Sequence, residues 1–288
     1  MRAALALLFA VPSFAQILIV TPHADDYLVC AGGTVAAMIQ NGTKAYVVRV
    51  TNDEKDAYGI SPEEAALRSR AESEEAASVL GVSEVVSLGY SSGELGGVSP
   101  TELRDRIIFF VRQYRPQIMF IPNPYTHYDA DLDHYYVGSA AEEARWAAGL
   151  KNFQPPHALV QLAPHLAPEL FYYSLPLDPE RHTPESTPTF VAQPKIVDIT
   201  TTFNRKLRAV RALKTRNRAL ALDIRQRLSN RGKRLPLLDP INDESLDRLA
   251  EIRLLGLAQL AGKSNEWPLA EEFFYAGSDY QIPSAYRK

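Results

Sequence analysis

The stretch Ile17-Leu18-Ile19-Val20-Thr21-Pro22-His23-Ala24-Asp25-Asp26 decides how the rest of the chain is read. Four consecutive apolar residues running into a proline and a knot of ionisable side chains predict a short buried strand that ends in a polar turn. Gly32-Gly33-Thr34 then predicts a helix near Gly32 to Gln40, closed by Asn41-Gly42. The alternation continues downstream with a second strand from Ala45 to Val50. Ser61-Pro62-Glu63-Glu64 is a capping box with proline at the first helical position, and the helix it opens runs to Leu80, where Gly81 stops it. Glu84 to Leu88 reads as a third strand, Ser99-Pro100-Thr101-Glu102 repeats the capping signature for a helix to about Tyr114, and Gln117 to Ile121 reads as a fourth strand.

Strands separated by helices of this length imply βαβ units, so the expected fold class is α/β, with a mostly parallel sheet covered by helices on both faces. In the common doubly wound order the first and fourth strands are neighbours, and ligands sit beyond their carboxyl ends. The two most polar loops of the sequence follow those two strands. Beyond Gly149 the residues 150–195 are proline-rich and irregular, bracketing two further strands around Leu170-Phe171-Tyr172-Tyr173 and Ile196-Val197. Helical periodicity returns in residues 203–262, over Phe203 to about Leu228 and Ser245 to about Ala261. No segment reads as a linker, so residues 16–288 are expected to form one domain.

At 288 residues and 46% apolar composition the chain has ample material for a core, and a net charge of -3 provides no field that would recruit nucleic acid. Arg2, the apolar run Ala3 to Val11, Pro12 and the small-x-small sequence Ser13-Phe14-Ala15 form a secretory signal, residues 1–15, with cleavage after Ala15. The run is far short of the roughly 20 apolar residues that span a bilayer. The mature chain is therefore expected to be exported, to the periplasm or beyond, without a transmembrane segment. Cys30 is the single cysteine, so export brings no internal disulfide.

His23, Asp25 and Asp26 crowd three ionisable groups into one turn, which is costly unless a cation or a helix N-terminus compensates. The second polar loop, Pro122 to His134, holds His127, Asp129, Asp131, Asp133 and His134. A catalytic metal takes three protein ligands and leaves a position for water. His23, Asp26 and His134 make such a set, and Asp25 beside it is placed to take a proton. The competing account makes Asp25 and Asp26 ordinary helix caps and His134 a surface residue. Tyr27, Tyr125, Tyr128, Tyr135, Tyr136 and Trp146 lie in or near these loops, as sugar-stacking faces or as packing. Arg68 and Arg70 are expected in water, as is the basic face of Arg205 to Arg234, where Asp223 is the lone acid.

The quoted opening stretch, with Ala31-Gly32-Gly33-Thr34, resembles the first signature of the PIG-L/LmbE-like N-deacetylases. Val50-Thr51-Asn52-Asp53-Glu54, Arg70-Ala71-Glu72, Leu80-Gly81-Val82, Leu88-Gly89-Tyr90 and Leu132-Asp133-His134 with Val137-Gly138 continue the resemblance in family order. It implies a Rossmann-like fold, zinc held by His23, Asp26 and His134, and Asp25 as general base. It also implies removal of an acetyl group from an N-acetylglucosamine-type sugar or glycoconjugate. Four positions depart from the pattern: Ala24 replaces proline, Tyr27 glutamate, Ser92 aspartate, and Asp131 the histidine credited with polarising the acetyl carbonyl. His127 is the expected replacement donor, with Asp133 acting through a partner. A two-histidine, one-carboxylate set also suits Fe2+ in a non-haem iron enzyme, and a catalytically silent carbohydrate-binding relative is the other alternative. A dinucleotide enzyme is excluded by the missing G-x-G-x-x-G and by acid where pyrophosphate would lie.

Overall fold

In the computed structural model, which describes residues 15–126, 129–175, 194–263 and 266–277, Ile17 to Val20 are wholly buried within strand β1 (Gln16–Thr21). Successive side chains of a strand point to opposite faces. Ile17 and Ile19 accordingly enter one core with helices α1 (Asp26–Gln40) and α5 (Phe203–Ala212), while Leu18 and Val20 enter a second with α3 (Pro100–Tyr114) and α4 (Leu132–Ala148). A strand covered on both faces has no polar side, which is why β1 shows no alternation.

The sheet has seven strands in the order β3-β2-β1-β4-β5-β7-β6, built from β2 (Lys44–Thr51), β3 (Glu84–Tyr90), β4 (Ile118–Pro122), β5 (Glu169–Tyr173), β6 (Pro194–Asp198) and β7 (Ala270–Ala276). Pairings from β3 through β5 are parallel, and β7 alone runs antiparallel between β5 and β6. The expected α/β sheet is therefore present, with β1 and β4 adjacent. The second helix, α2 (Pro62–Leu80), begins as read: the Ser61 side chain accepts from Glu64 N, and Gly81 closes it at φ 85°. The leader up to residue 14 and His127 lie outside the described residues. Among those described, no helix is long and apolar enough to cross a membrane.

Three local expectations are corrected. Helix α1 starts at Asp26 rather than near Gly32, because Val29 N reaches Asp25 O at 2.9 Å and closes a full turn before the glycines. The glycines serve a different purpose. A Cβ on Gly33 would stand 2.7 Å from Ile199, and the Gly33 and Thr34 amides donate to the Glu271 carboxylate at 2.9 and 2.8 Å. Second, the single helix expected from Phe203 is two, α5 and α6 (Lys214–Ser229), broken at Leu213, where Asn217 Nδ2 donates to Val210 O at 2.8 Å. Third, β7 was not anticipated as a strand. Its inward positions alternate Glu271 and Phe273, and the buried glutamate disguises the apolar face.

Glu271 is satisfied by Lys206 Nζ at 2.7 Å as well as by the amides and the Thr34 hydroxyl, and both charged residues are almost fully buried. The basic face of this segment is thus not wholly in water. Deleting one partner of such a pair strands the other, at roughly 3–5 kcal/mol. Glu271→Ala is expected to lower the unfolding free energy by about that amount, read from urea denaturation; a loss below about 1 kcal/mol, the scale of an ordinary exposed pair, would show the pair to be dispensable.

Candidate metal and catalytic site

The turn after β1 is bolted to the end of β2. Thr51 donates to Pro22 O through its amide at 3.0 Å and its hydroxyl at 2.8 Å, and Thr21 Oγ1 donates to His23 O at 2.8 Å. Asp53, buried and in the left-handed region at φ 58°, accepts from Ala24 N, Ser69 Oγ and Arg49 Nη1 at 3.2, 2.7 and 3.3 Å. These bonds hold the chain rigid across the three ionisable residues that follow Pro22. On the neighbouring strand, β4 ends at Pro122 and α4 comes to rest over it. Gly138 permits that approach, since a Cβ there would lie 2.5 Å from Pro122 O. Asp131 caps α4 by accepting Asp133 N at 3.0 Å, which presents Asp133 and His134 from the first helical turn.

The two loops meet at the carboxyl ends of β1 and β4, bringing His23, Asp26 and His134 together. Asp26 lies between the two imidazoles: Oδ2 is 3.3 Å from His23 Nδ1 and Oδ1 is 3.2 Å from His134 Nε2. Neither ring nitrogen has a hydrogen-bond partner among the described residues, close as both are to oxygen. Both nitrogens therefore face the Asp26 carboxylate without hydrogen-bond geometry. Asp131 Oδ2 stands 3.8 Å from His23 Nδ1, and one ligand atom each of His23, Asp131 and His134 falls within 4.8 Å of the others. Behind them, His134 Nδ1 is 2.5 Å from Asp129 Oδ2, and His23 Nε2 is 3.5 Å from Asp133 Oδ2. A carboxylate behind each imidazole fixes the ring and leaves the other nitrogen facing inward, the arrangement that metal-bound histidines adopt.

Electrostatics point the same way. Burial opposes charge on His134, but Asp26 and Asp129 overcome it and raise the pKa to about 10. His23 is likewise raised, against burial, by Asp26 and Asp133. Asp26, despite burial, is held well below the usual carboxylate range by the two histidines. The pocket demands positive charge, which protons on the imidazoles or a divalent cation can supply. Two imidazoles and a carboxylate are suitable ligands for zinc.

Asp25 is 7% exposed and occupies the N-cap position of α1, yet its side chain caps nothing. Its Oδ2 instead lies 3.2 Å from Arg216 Nε, whose Nη1 is 3.0 Å from Asp56 Oδ1. Burial raises Asp56 to about 6 even with Arg216 beside it. Asp133, expected to act on protons through a partner, is buried and accepts Gly93 N at 2.6 Å, which places it behind His23. Tyr27 is buried in the first core and Trp146 packs on Phe153, whereas Tyr125 and Tyr135 are exposed near the loops. Arg68 and Arg70 pair with Glu64 and Glu74 on the outer face of α2, as expected of solvated residues. Ser92, in place of the family's aspartate, is buried with its hydroxyl 3.2 Å from Thr51 Oγ1. Arg216 carries no signal as a site residue in the sequence, because it acts through contacts far along the chain, and Asp53 stands in a quoted motif with nothing to mark it as the anchor of the Pro22 turn.

An α/β protein with histidines and carboxylates gathered at the switch point of its parallel sheet is a metal-hydrolase type of architecture. Residues 18–145 match the PIG-L family, described as GlcNAc-PI de-N-acetylase. The chain is 30% identical over 199 residues to diacetylchitobiose deacetylase of Thermococcus kodakarensis, an alignment covering 68% of each protein. It belongs to the PIG-L family of N-deacetylases. Its fold is also similar to the N,N'-diacetylchitobiose deacetylase of Pyrococcus horikoshii, with a TM-score of 0.71 at 23% identity over 93% of this chain and 86% of that one. The 4-carboxy-2-hydroxymuconate hydratase GalB of Pseudomonas putida has the same fold, with a TM-score of 0.62 at 17% identity over 95% and 99%.

Carboxylates behind metal-ligating histidines are worth roughly 10–100-fold in metal affinity. Asp129→Asn is expected to weaken Zn2+ binding by about that factor with the fold intact, measured by competition against a chromophoric chelator; unchanged affinity would separate Asp129 from the metal.

Proposed function

We propose that the protein hydrolyses the acetyl–nitrogen bond of an N-acetylated amino sugar, with zinc held by His23, Asp26 and His134. The observation that carries this reading is the convergence of His23 Nδ1 and His134 Nε2 on Asp26 without hydrogen-bond geometry. Zinc, when bound, lowers the pKa of water from about 15.7 to near 7 and polarises a carbonyl. Asp25 takes the proton from water as its oxygen attacks the acetyl carbon; the C–N bond then breaks, acetate leaves and the amine nitrogen gains a proton. His127, or Asp131 at the edge of the ligand cluster, delivers that proton, and Asp133 orients His23.

Family membership and the diacetylchitobiose deacetylase relative favour a short N-acetylglucosamine oligosaccharide as substrate. The walls of the site agree. Asp25, Asp56, Asp129 and Asp131 surround the histidines, and the guanidinium of Arg216 is already engaged by two of them. Such a surface suits a neutral sugar, and disfavours a carboxylate-bearing substrate of the muconate kind by like-charge repulsion. Asp131, in place of the family's histidine, favours a second reading, a silent carbohydrate-binding relative. The leader read in residues 1–15 supports export, so that the substrate is met outside the cytoplasm; intact-mass measurement of secreted protein tests this by whether the chain begins at Gln16.

Elemental analysis of purified protein, paired with acetate release from N-acetylglucosamine oligosaccharides, tests the reaction. Zinc with acetate release is the expected result, whereas sugar binding without acetate supports the silent reading. Oxygen uptake with Fe2+ but not Zn2+ would identify an iron enzyme instead. His134→Ala is expected to lose the metal. Asp25→Asn should retain it while kcat falls by roughly 10²–10⁴-fold, the usual worth of a positioned base; near-normal turnover there removes Asp25 from the mechanism.

A further inference from the structure

An aspartate at the N-cap of a helix ordinarily folds back to accept the amide of the second or third helical residue. At Asp25 those are Tyr27 and Leu28, and the bond is not made. The carboxylate is turned instead towards Arg216, with Oδ2 at 3.2 Å from Nε, while Oδ1, buried, has no hydrogen-bond partner among the described residues. The Asp25 backbone is itself in the right-handed helical region, at φ -90° and ψ -24°, so its carboxylate does not reach the α1 amides, and Arg216 is the cation that meets it.

Arg216 is itself held at two points. Asp56 Oδ1 lies 3.0 Å from Nη1, which leaves Nε for Asp25 and stops the side chain from swinging into solvent. Its backbone is fixed by the preceding residue: Thr215 donates its amide and hydroxyl to Glu72 on α2, at 2.9 and 2.8 Å to the nearer oxygens. Glu72 thus caps the first turn of α6 from a neighbouring helix. The break at Leu213 is what makes this possible, since it re-aims the chain so that the first turn of α6 faces the end of β1 rather than continuing α5.

We propose that Arg216 is a positioning residue for Asp25, gripping Oδ2 so that Oδ1 faces the reacting water. The inference rests on the reading of Asp25 as general base. It assigns Arg216 no contact with substrate, because both neighbouring charges on its guanidinium are the protein's own. Restraining the base matters because a displacement of about 1 Å at a catalytic group costs on the order of 10²-fold in rate.

The test compares Arg216→Ala with Asp25→Asn and with Arg218→Ala, which removes an exposed arginine from the same helix. With zinc content unchanged by elemental analysis, Arg216→Ala is expected to lower kcat by about 10²-fold and to alter KM by less than about threefold. Arg218→Ala should match the parent. Millimolar guanidinium is expected to restore turnover to Arg216→Ala and to leave Arg218→Ala unaffected. A crystal structure of Arg216→Ala should show the Asp25 carboxylate turned from its parent orientation, and an unmoved carboxylate would overturn the positioning role. Should that variant fail to fold, Arg216→Lys and Asp56→Asn carry the same test, each with a smaller fall in kcat and partial guanidinium rescue for Asp56→Asn. Wild-type turnover in Arg216→Ala alongside a dead Asp25→Asn would overturn the positioning role and leave the base in place. A raised KM with unchanged kcat would make Arg216 a substrate contact and overturn it too. Full turnover in Asp25→Asn would instead reject the reading of the base on which the proposal stands.

Discussion

Repulsion among carboxylates at the ends of β1 and β4 is the constraint that the rest of the structure answers. Asp25, Asp26, Asp131 and Asp133 all approach His23 or its turn, with Asp53, Asp56 and Asp129 just behind. Two like charges 4 Å apart repel by about 4 kcal/mol at an effective dielectric constant of 20, so such a cluster would disperse if nothing opposed it. Each acid has its own counterweight. Asp53 has Arg49 and three neutral donors, Asp25 and Asp56 share Arg216, and Asp133 takes backbone amides. Asp26 accepts the His23 amide at 2.9 Å and otherwise faces the two histidines, whose inward nitrogens find no hydrogen bond among the described residues. The demand for positive charge is greatest around the two histidines, whose ligand atoms lie with one of Asp131 within 4.8 Å of one another, close enough to hold a metal ion.

Most of the sheet was legible in the sequence because its signals are local. Apolar runs of four to eight residues mark strands, and Ser61-Pro62-Glu63-Glu64 marks a helix start whichever fold surrounds it. The start of α1 was misread for a physical reason: Gly-Gly-Thr looks like a helix entrance, but here the glycines admit Ile199 and expose amides to Glu271 in mid-helix. Strand β7 escaped notice because the same Glu271 interrupts its apolar face. Neither feature can be recognised without knowing that residues 33 and 271 meet.

The site divides along the same line. His23, Asp25, Asp26 and His134 were singled out by their crowding and by their likeness to a family pattern, and the fold brings them together. Whether Asp25 capped its helix could not be read from spacing, since an acid after a buried strand fits a cap as well as a base. Asp129 stood in a loop of similar acids, with nothing to mark it as the one behind His134. Arg216 sat among many basic residues on what read as a solvated face, and its partner lies on an element of the opposite half of the chain.

The matched family segment ends at residue 145, and one of the two arginines that counter the site's carboxylates, Arg216, comes from beyond it. Lys206 and Glu271 lock α5 and β7 onto the glycines of α1, and Arg216 reaches Asp25 from the next helix. The C-terminal helices are therefore not an annex to a finished enzyme-like core, because the first helix of that core is held and the aspartate at its start is oriented from outside. A ligand set can persist in a family while this outer layer changes. The orientation of the residue beside the metal would then shift without any ligand being replaced. The same fold houses both a deacetylase and a hydratase, so the fold alone does not set the chemistry. In this chain the layer supplies one arginine to two carboxylates, and that ratio keeps the mouth of the site acidic while still restraining Asp25.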